Sequence, residues 1–178
     1  GQATAFHGHQ SWQFPAANCC GVRAPMSEAT GPLKGLRVIE LGVLLAGPFC
    51  GQILGDLGAE VIKVEPPGQG DPLREWGTVK KDGHGVWFPI VARNKKCITL
   101  DLRQAEGQAV LKDFIKQADF LLENFRPGTL EKWGLGYDVL SAINPGLIMI
   151  RVSGYGQTGP NSPKAGYASV GEAMGGLR

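Results

Sequence analysis

A chain of 178 residues with 43% hydrophobic and 19% charged side chains suits one domain that buries roughly 70% of its unfolded surface. A net charge of +2, with no block of like charges, argues against nucleic acid as a partner. No apolar run approaches the roughly 18 residues that a membrane helix requires, so no membrane partner is expected and the chain reads as soluble.

Residues 1–25 look foreign to the rest of the chain, with no periodic apolar pattern and no initiating Met. Met26-Ser27-Glu28 then precedes Gly31-Pro32-Leu33-Lys34-Gly35, which resembles a native start. The first 25 residues read as a disordered leader or non-native extension, and residues 26–178 as the domain proper. They lack the arginine density of a mitochondrial presequence and the apolar core of a secretory signal. His7 and His9 read as part of this tail rather than as metal ligands. Of the four cysteines, Cys50 and Cys97 fall in expected core elements, where a free thiol acts as a small hydrophobe. Cys19 and Cys20 are adjacent and lack metal-ligand spacing, so no metal is expected. A reducing cytoplasm is the simplest setting.

The first strand is expected at residues 36–41, ended by Gly42. From Pro48 the period changes, and Phe49, Cys50, Ile53, Leu54 and Leu57 share one helical face. Gly58 suits the helix exit, and residues 60–65 form the second strand of a right-handed parallel crossover. Residues 66–89, rich in Gly, Pro and charge, read as a long functional or mobile loop. Further strands are expected at 97–102, 119–123 and 147–153. A helix over 105–118 would turn Val110, Leu111, Phe114, Ile115 and Ala118 to the core, with short helices at 129–133, 138–143 and 167–174. Alternating strands and helices predict an α/β fold with a parallel sheet covered on both faces.

Three segments place glycine, proline or an amide where a strand stops, the edge at which open α/β sheets bind ligands. They are Leu45-Ala46-Gly47-Pro48 running into Gly55-Asp56-Leu57-Gly58-Ala59-Glu60-Val61-Ile62-Lys63-Val64-Glu65; Glu123-Asn124-Phe125-Arg126-Pro127-Gly128; and Gly154-Tyr155-Gly156-Gln157-Thr158-Gly159-Pro160. The first strand-to-helix turn, residues 42–47, lacks the second and third glycines of a dinucleotide fingerprint. Glu65 alone, where a ribose-binding acid would stand, is weak support for a nicotinamide cofactor. The amides at this helix start could still receive a carbonyl or phosphate, unless Ala46-Gly47-Pro48 is only a tight turn. Asn124 can hydrogen-bond a base or amide, and Phe125 offers a flat face for stacking. Arg103 and Lys132 suit phosphates, or are solvated surface cations. No G-x-S-x-G elbow, H-E-x-x-H or Cys/His pair is present, and His84 reads as a solvated loop residue.

In order and spacing, the three segments resemble the class III CoA-transferases of the formyl-CoA transferase and carnitine dehydratase type, from about Pro32 onward. The resemblance implies the N-terminal part of a Rossmann-like large domain, with coenzyme A as part of an acyl-CoA substrate. It implies CoA contacts at Leu44, Leu45, Ala46, Leu100, Arg103, Asn124, Phe125 and Lys132, and places Tyr167 near the reacting centre. Some members carry an amide where Leu45 stands, and arginines near Pro66 and Pro67. The family's nucleophilic aspartate, which attacks the thioester, falls downstream of Tyr167 and beyond Arg178. No catalytic residue is therefore assigned, and a truncated chain, inactive alone, is expected. The implied partners are an acyl-CoA, a carboxylic acid and further copies of the chain in a homo-oligomer. An acyl-CoA racemase of the same family and a non-catalytic CoA-binding or oligomerisation module are the alternative readings.

Overall fold

The computed structural model describes residues 30–81 and 84–177. The leader expected at residues 1–25 and the side chain of His84 lie outside the described residues. In chain order the elements are β1 (Arg37–Glu40), α1 (Ala46–Asp56), β2 (Glu60–Glu65), a 3-10 turn (Pro72–Glu75), β3 (Lys80–Lys81) and β4 (His84–Gly85). They continue with α2 (Trp87–Val91), β5 (Lys95–Thr99), α3 (Ala105–Ile115), β6 (Phe120–Glu123), α4 (Thr129–Lys132), α5 (Tyr137–Ile143), β7 (Ile148–Arg151) and α6 (Ala168–Met174).

Five strands pair in parallel in the order β5-β2-β1-β6-β7. The chain moves outward from β1 through β2 to β5, then returns past β1 to lay down β6 and β7. The order therefore reverses between β1 and β6, and the carboxyl ends of those two strands flank the crevice where such sheets take ligands. The α/β expectation holds.

Alternation along the strands divides the side chains between two faces. Ile39, Leu41, Ile62, Val64 and Leu121 face α3 and α5, closing a core with Leu111, Ile115 and Leu140. The opposite face carries Val38, Val61 and Leu122, and is roofed by α1. Here the structure corrects the expected helix face. Cys50 and Leu54 do pack inward in part, but Phe49, Ile53 and Leu57 are 53%, 44% and 42% exposed. The buried face is instead Gly47, Pro48, Gly51, Gln52 and Gly55. Glycines four apart fall on one side of a helix, and their lack of side chains lets the helix backbone descend onto the sheet. A Cβ at Gly51 would collide with Glu40 Oε2. Apolar periodicity is blind to such a face because glycine contributes closeness rather than hydrophobicity.

Residues 66–81 and 84–89 also carry more regular structure than expected. Asp71 caps the 3-10 turn, its carboxylate accepting from the Leu73 amide at 2.8 Å, with Pro72 at the first turn position. Leu73, Phe88, Val91 and Ala92 then form a small core that includes α2. The strand expected at 97–102 is β5, beginning two residues earlier because Lys95 is buried in the sheet. Cys50 is a free thiol, and both Cys50 and Cys97 are partly buried against the apolar cores.

Gly51→Ala should lower stability by about 2 kcal/mol through overpacking against Glu40. Gly171→Ala in α6, where a Cβ meets nothing within 4 Å, should be neutral or stabilising. Urea denaturation midpoints check the pair. Equal midpoints would show that α1 has room to spare.

Candidate functional site

Strand alternation places Val61, Lys63 and Glu65 of β2 on the face under α1, and the last two are buried together with Glu40 of β1 and Lys95 of β5. Lys63 Nζ lies 3.1 Å from Glu40 Oε1 and 2.8 Å from Asp71 Oδ2. Lys95 Nζ takes the other Glu40 oxygen at 2.7 Å. Burial pushes the Glu40 carboxyl above its ordinary range, with the Lys63 and Lys95 ammoniums acting against the rise. Burial likewise draws Lys95 down. Glu65 accepts from the Asp71 amide at 2.7 Å and from two nitrogens of Arg74, each at 2.8 Å. Glu65 is therefore occupied in holding the 66–75 segment and is not free for a ribose hydroxyl.

This network grips the backbone of the turn above it. Lys63 donates to the Gly42 carbonyl at 2.7 Å, and Lys95 to the Pro48 carbonyl at 2.6 Å. The Leu44 amide donates to Asp71 Oδ1 at 3.1 Å. Just past β6, Asn124 accepts from the Val43 amide at 2.8 Å and donates to the Val43 carbonyl at 2.9 Å. Leu44 is held at a φ of +59°, a left-handed conformation uncommon for a branched side chain. The turn is thus fixed from two strands and two loops where the sheet order reverses. It opens into α1, whose first amides, at Leu45, Ala46 and Gly47, have no acceptor within the helix. Such amides at a helix start suit a carbonyl, an oxyanion or a phosphate.

The other expected site residues are placed unevenly. Leu44 and Ala46 are exposed at the turn, and Leu45 packs, partly buried, against the small core of Leu73, Phe88, Val91 and Ala92. Both amide atoms of Asn124 are committed to Val43 rather than offered to a base. Phe125 sits edge-on to Trp133 at 5.5 Å, partly buried against the main core. Its amide donates to Glu123 Oε2. Leu100 continues the sheet, its amide donating to the Glu65 carbonyl at 3.0 Å. Arg103 is exposed and already bonded to Asp101 through Nε and Nη2. Lys132, at the exposed end of α4, forms no ion pair among the described residues. Tyr167 stands 72% exposed just before α6. The loop after β7 is pinched at its neck, where Gly154 and Gly166 meet backbone to backbone.

The carboxylates at this edge of the sheet are all engaged. Glu40, Glu65 and Asp71 serve the turn, while Glu123 pairs with Arg151 at 2.8 Å. Arg151 also holds Glu131, tying β7 to α4. Among the described residues, none of these acids is left over to attack a thioester. No group of three or more metal-ligating side chains is found among them, nor any helix long and apolar enough to cross a membrane.

Sequence reasoning missed Glu40, Lys63, Lys95 and Asp71. The available signal was a lysine alternating with apolar residues inside a strand that had to be buried on both faces.

An open parallel sheet with a pinned, amide-bearing turn at its switch point defines an open α/β protein of the kind that takes ligands at that edge. The sequence profile of CoA-transferase family III matches residues 33–178, and the chain belongs to that family. It is 66% identical over 147 residues to the succinyl-CoA–D-citramalate CoA-transferase of Chloroflexus aurantiacus, covering 83% of this chain and 37% of that protein. It is 49% identical over 177 residues to the succinyl-CoA–L-malate CoA-transferase alpha subunit of Chloroflexus aurantiacus, covering 96% of this chain and 40% of that one. A CAIB/BAIF family protein from Brucella suis superposes with a TM-score of 0.77 at 45% identity, over 83% of this chain and 40% of that structure. The chain thus spans well under half the length of these relatives.

Asn124→Asp should cost about 1–3 kcal/mol, because a carboxylate oxygen would then face the Val43 carbonyl without a donor. Denaturant titration at neutral pH reads this loss. A hydrogen bond from Arg151 depresses the Glu131 carboxyl below its ordinary 4.5. The stability this gives is present above pH 4.5 and is lost as pH falls through the depressed value. Glu131→Gln should therefore flatten the acid limb of stability against pH. An unchanged limb would show that the contact is too solvated to contribute.

Proposed function

We propose that the protein moves CoA from an acyl-CoA thioester to a carboxylic acid, and that this chain supplies the turn that holds the coenzyme. The observation that carries this reading is the turn at residues 42–48, locked by buried ions at the switch point of a CoA-transferase family III sheet. The names of the two Chloroflexus relatives support succinyl-CoA as donor and a dicarboxylic acid as acceptor.

A bound acyl-CoA would supply the activated acyl carbon of its thioester; the chain's own residues bind and orient it. The amides of Leu45, Ala46 and Gly47 meet a carbonyl or developing oxyanion. Leu44, Leu45, Leu100 and Phe125 give apolar contact along the pantetheine, and Asn124 keeps the turn in register. Lys132 and Arg103 meet phosphates, Arg103 by exchanging Asp101 for the ligand. Tyr167 closes on the acyl end. The attacking carboxylate comes from outside the described residues, because the acids at this edge are already paired. In the same reading, residues 26–178 form a single partial large domain of a cytoplasmic homo-oligomer. The exposed Phe49, Ile53 and Leu57 stripe offers an apolar face for association.

Calorimetric titration of the purified chain with CoA should show weak saturable binding. The chain alone should not pass CoA from succinyl-CoA to a dicarboxylate. No heat from a folded chain at millimolar CoA would refute the binding role, and steady exchange would refute the missing nucleophile.

A further inference from the structure

Asp71 touches three parts of the molecule at once. One oxygen faces the buried Lys63 ammonium, and the other accepts from both the Leu44 and the Leu73 amides. It thereby joins the 72–75 turn, the ion network and the strained residue of the 42–48 turn. Leu44 holds a φ that a residue with a Cβ avoids unless its surroundings impose it. The Leu44 amide is anchored by its hydrogen bond to Asp71.

We propose that Asp71 is a positioning residue for coenzyme binding, holding Leu44 in its left-handed conformation and so fixing the turn from which α1 starts. This rests on the CoA-binding reading of the site. A carboxylate is required. An Asn amide would turn its NH2 either toward the Lys63 ammonium or toward the two backbone donors, and neither fits.

The test compares wild type, Asp71→Asn, Leu44→Gly and the double variant by CoA titration. Asp71→Asn should weaken CoA binding by about tenfold or more, yet by about threefold or less when residue 44 is glycine, which takes a positive φ unaided. A merely structural Asp71 would give the same loss in both backgrounds, and that result overturns the proposal. So does wild-type affinity in Asp71→Asn. Amide hydrogen exchange gives a readout that needs no ligand. Asp71→Asn should speed exchange at the Val43 and Leu44 amides while Val38 and Leu121 stay protected, and unchanged exchange at the turn overturns the role. Wild type that takes up no CoA defeats the coenzyme reading, while the exchange comparison still decides what Asp71 does.

Should Asp71→Asn fail to fold, Leu44→Asn and Leu44→Val test the link with Asp71 in place. Asn tolerates the left-handed region and should bind CoA at least about threefold more tightly than β-branched Val, which offers more apolar contact but resists that conformation. Equal affinities would sink the proposal.

Discussion

Lys63 from β2 and Lys95 from β5 each take one oxygen of Glu40 on β1, and much of the architecture above them depends on that arrangement. A buried ion cluster stabilises little compared with apolar packing of the same volume, yet losing one member costs about 3–5 kcal/mol. What it supplies here is direction. The same ammoniums that neutralise Glu40 also donate to the carbonyls of Gly42 and Pro48, so charge compensation and turn geometry are one set of contacts. Asp71 extends the set into the 66–75 segment, and Asn124 closes it from just past β6.

The layer order was legible in the sequence because strands β2, β6 and β7 are short apolar runs bounded by turn residues, and α3 is strongly periodic. The edge bearing the site was legible for the same reason, since glycine, proline and amide cluster where strands stop. The glycine face of α1 was hidden, because Phe49, Ile53 and Leu57 carry the hydrophobic signal while Gly47, Gly51 and Gly55 carry the contact. The small core of residues 72–92 was hidden too. Leu73 stands well apart in sequence from Phe88 and Val91, across a polar stretch, and Asp71 caps the turn that presents it.

Several side chains suited to a coenzyme are structural first. Asn124 spends both amide atoms on Val43, and Phe125 leans on Trp133. A residue type that suits a ligand also suits a backbone, and a one-dimensional pattern does not tell the two apart. Glu65 makes the point most sharply. It stands where a ribose acid would, but Arg74 and the Asp71 amide already occupy it.

A helix that meets its sheet through glycine has no rotamers with which to absorb a small displacement. Side-chain cushions usually let packed elements yield by fractions of an ångström, but α1 rests almost directly on the carboxylate of Glu40. Sliding it would strip Lys95 from the Pro48 carbonyl and drag Gly47 across Asn124 together. The mouth of the crevice is therefore mechanically stiff. It should admit a ligand by shape already present rather than by yielding to it.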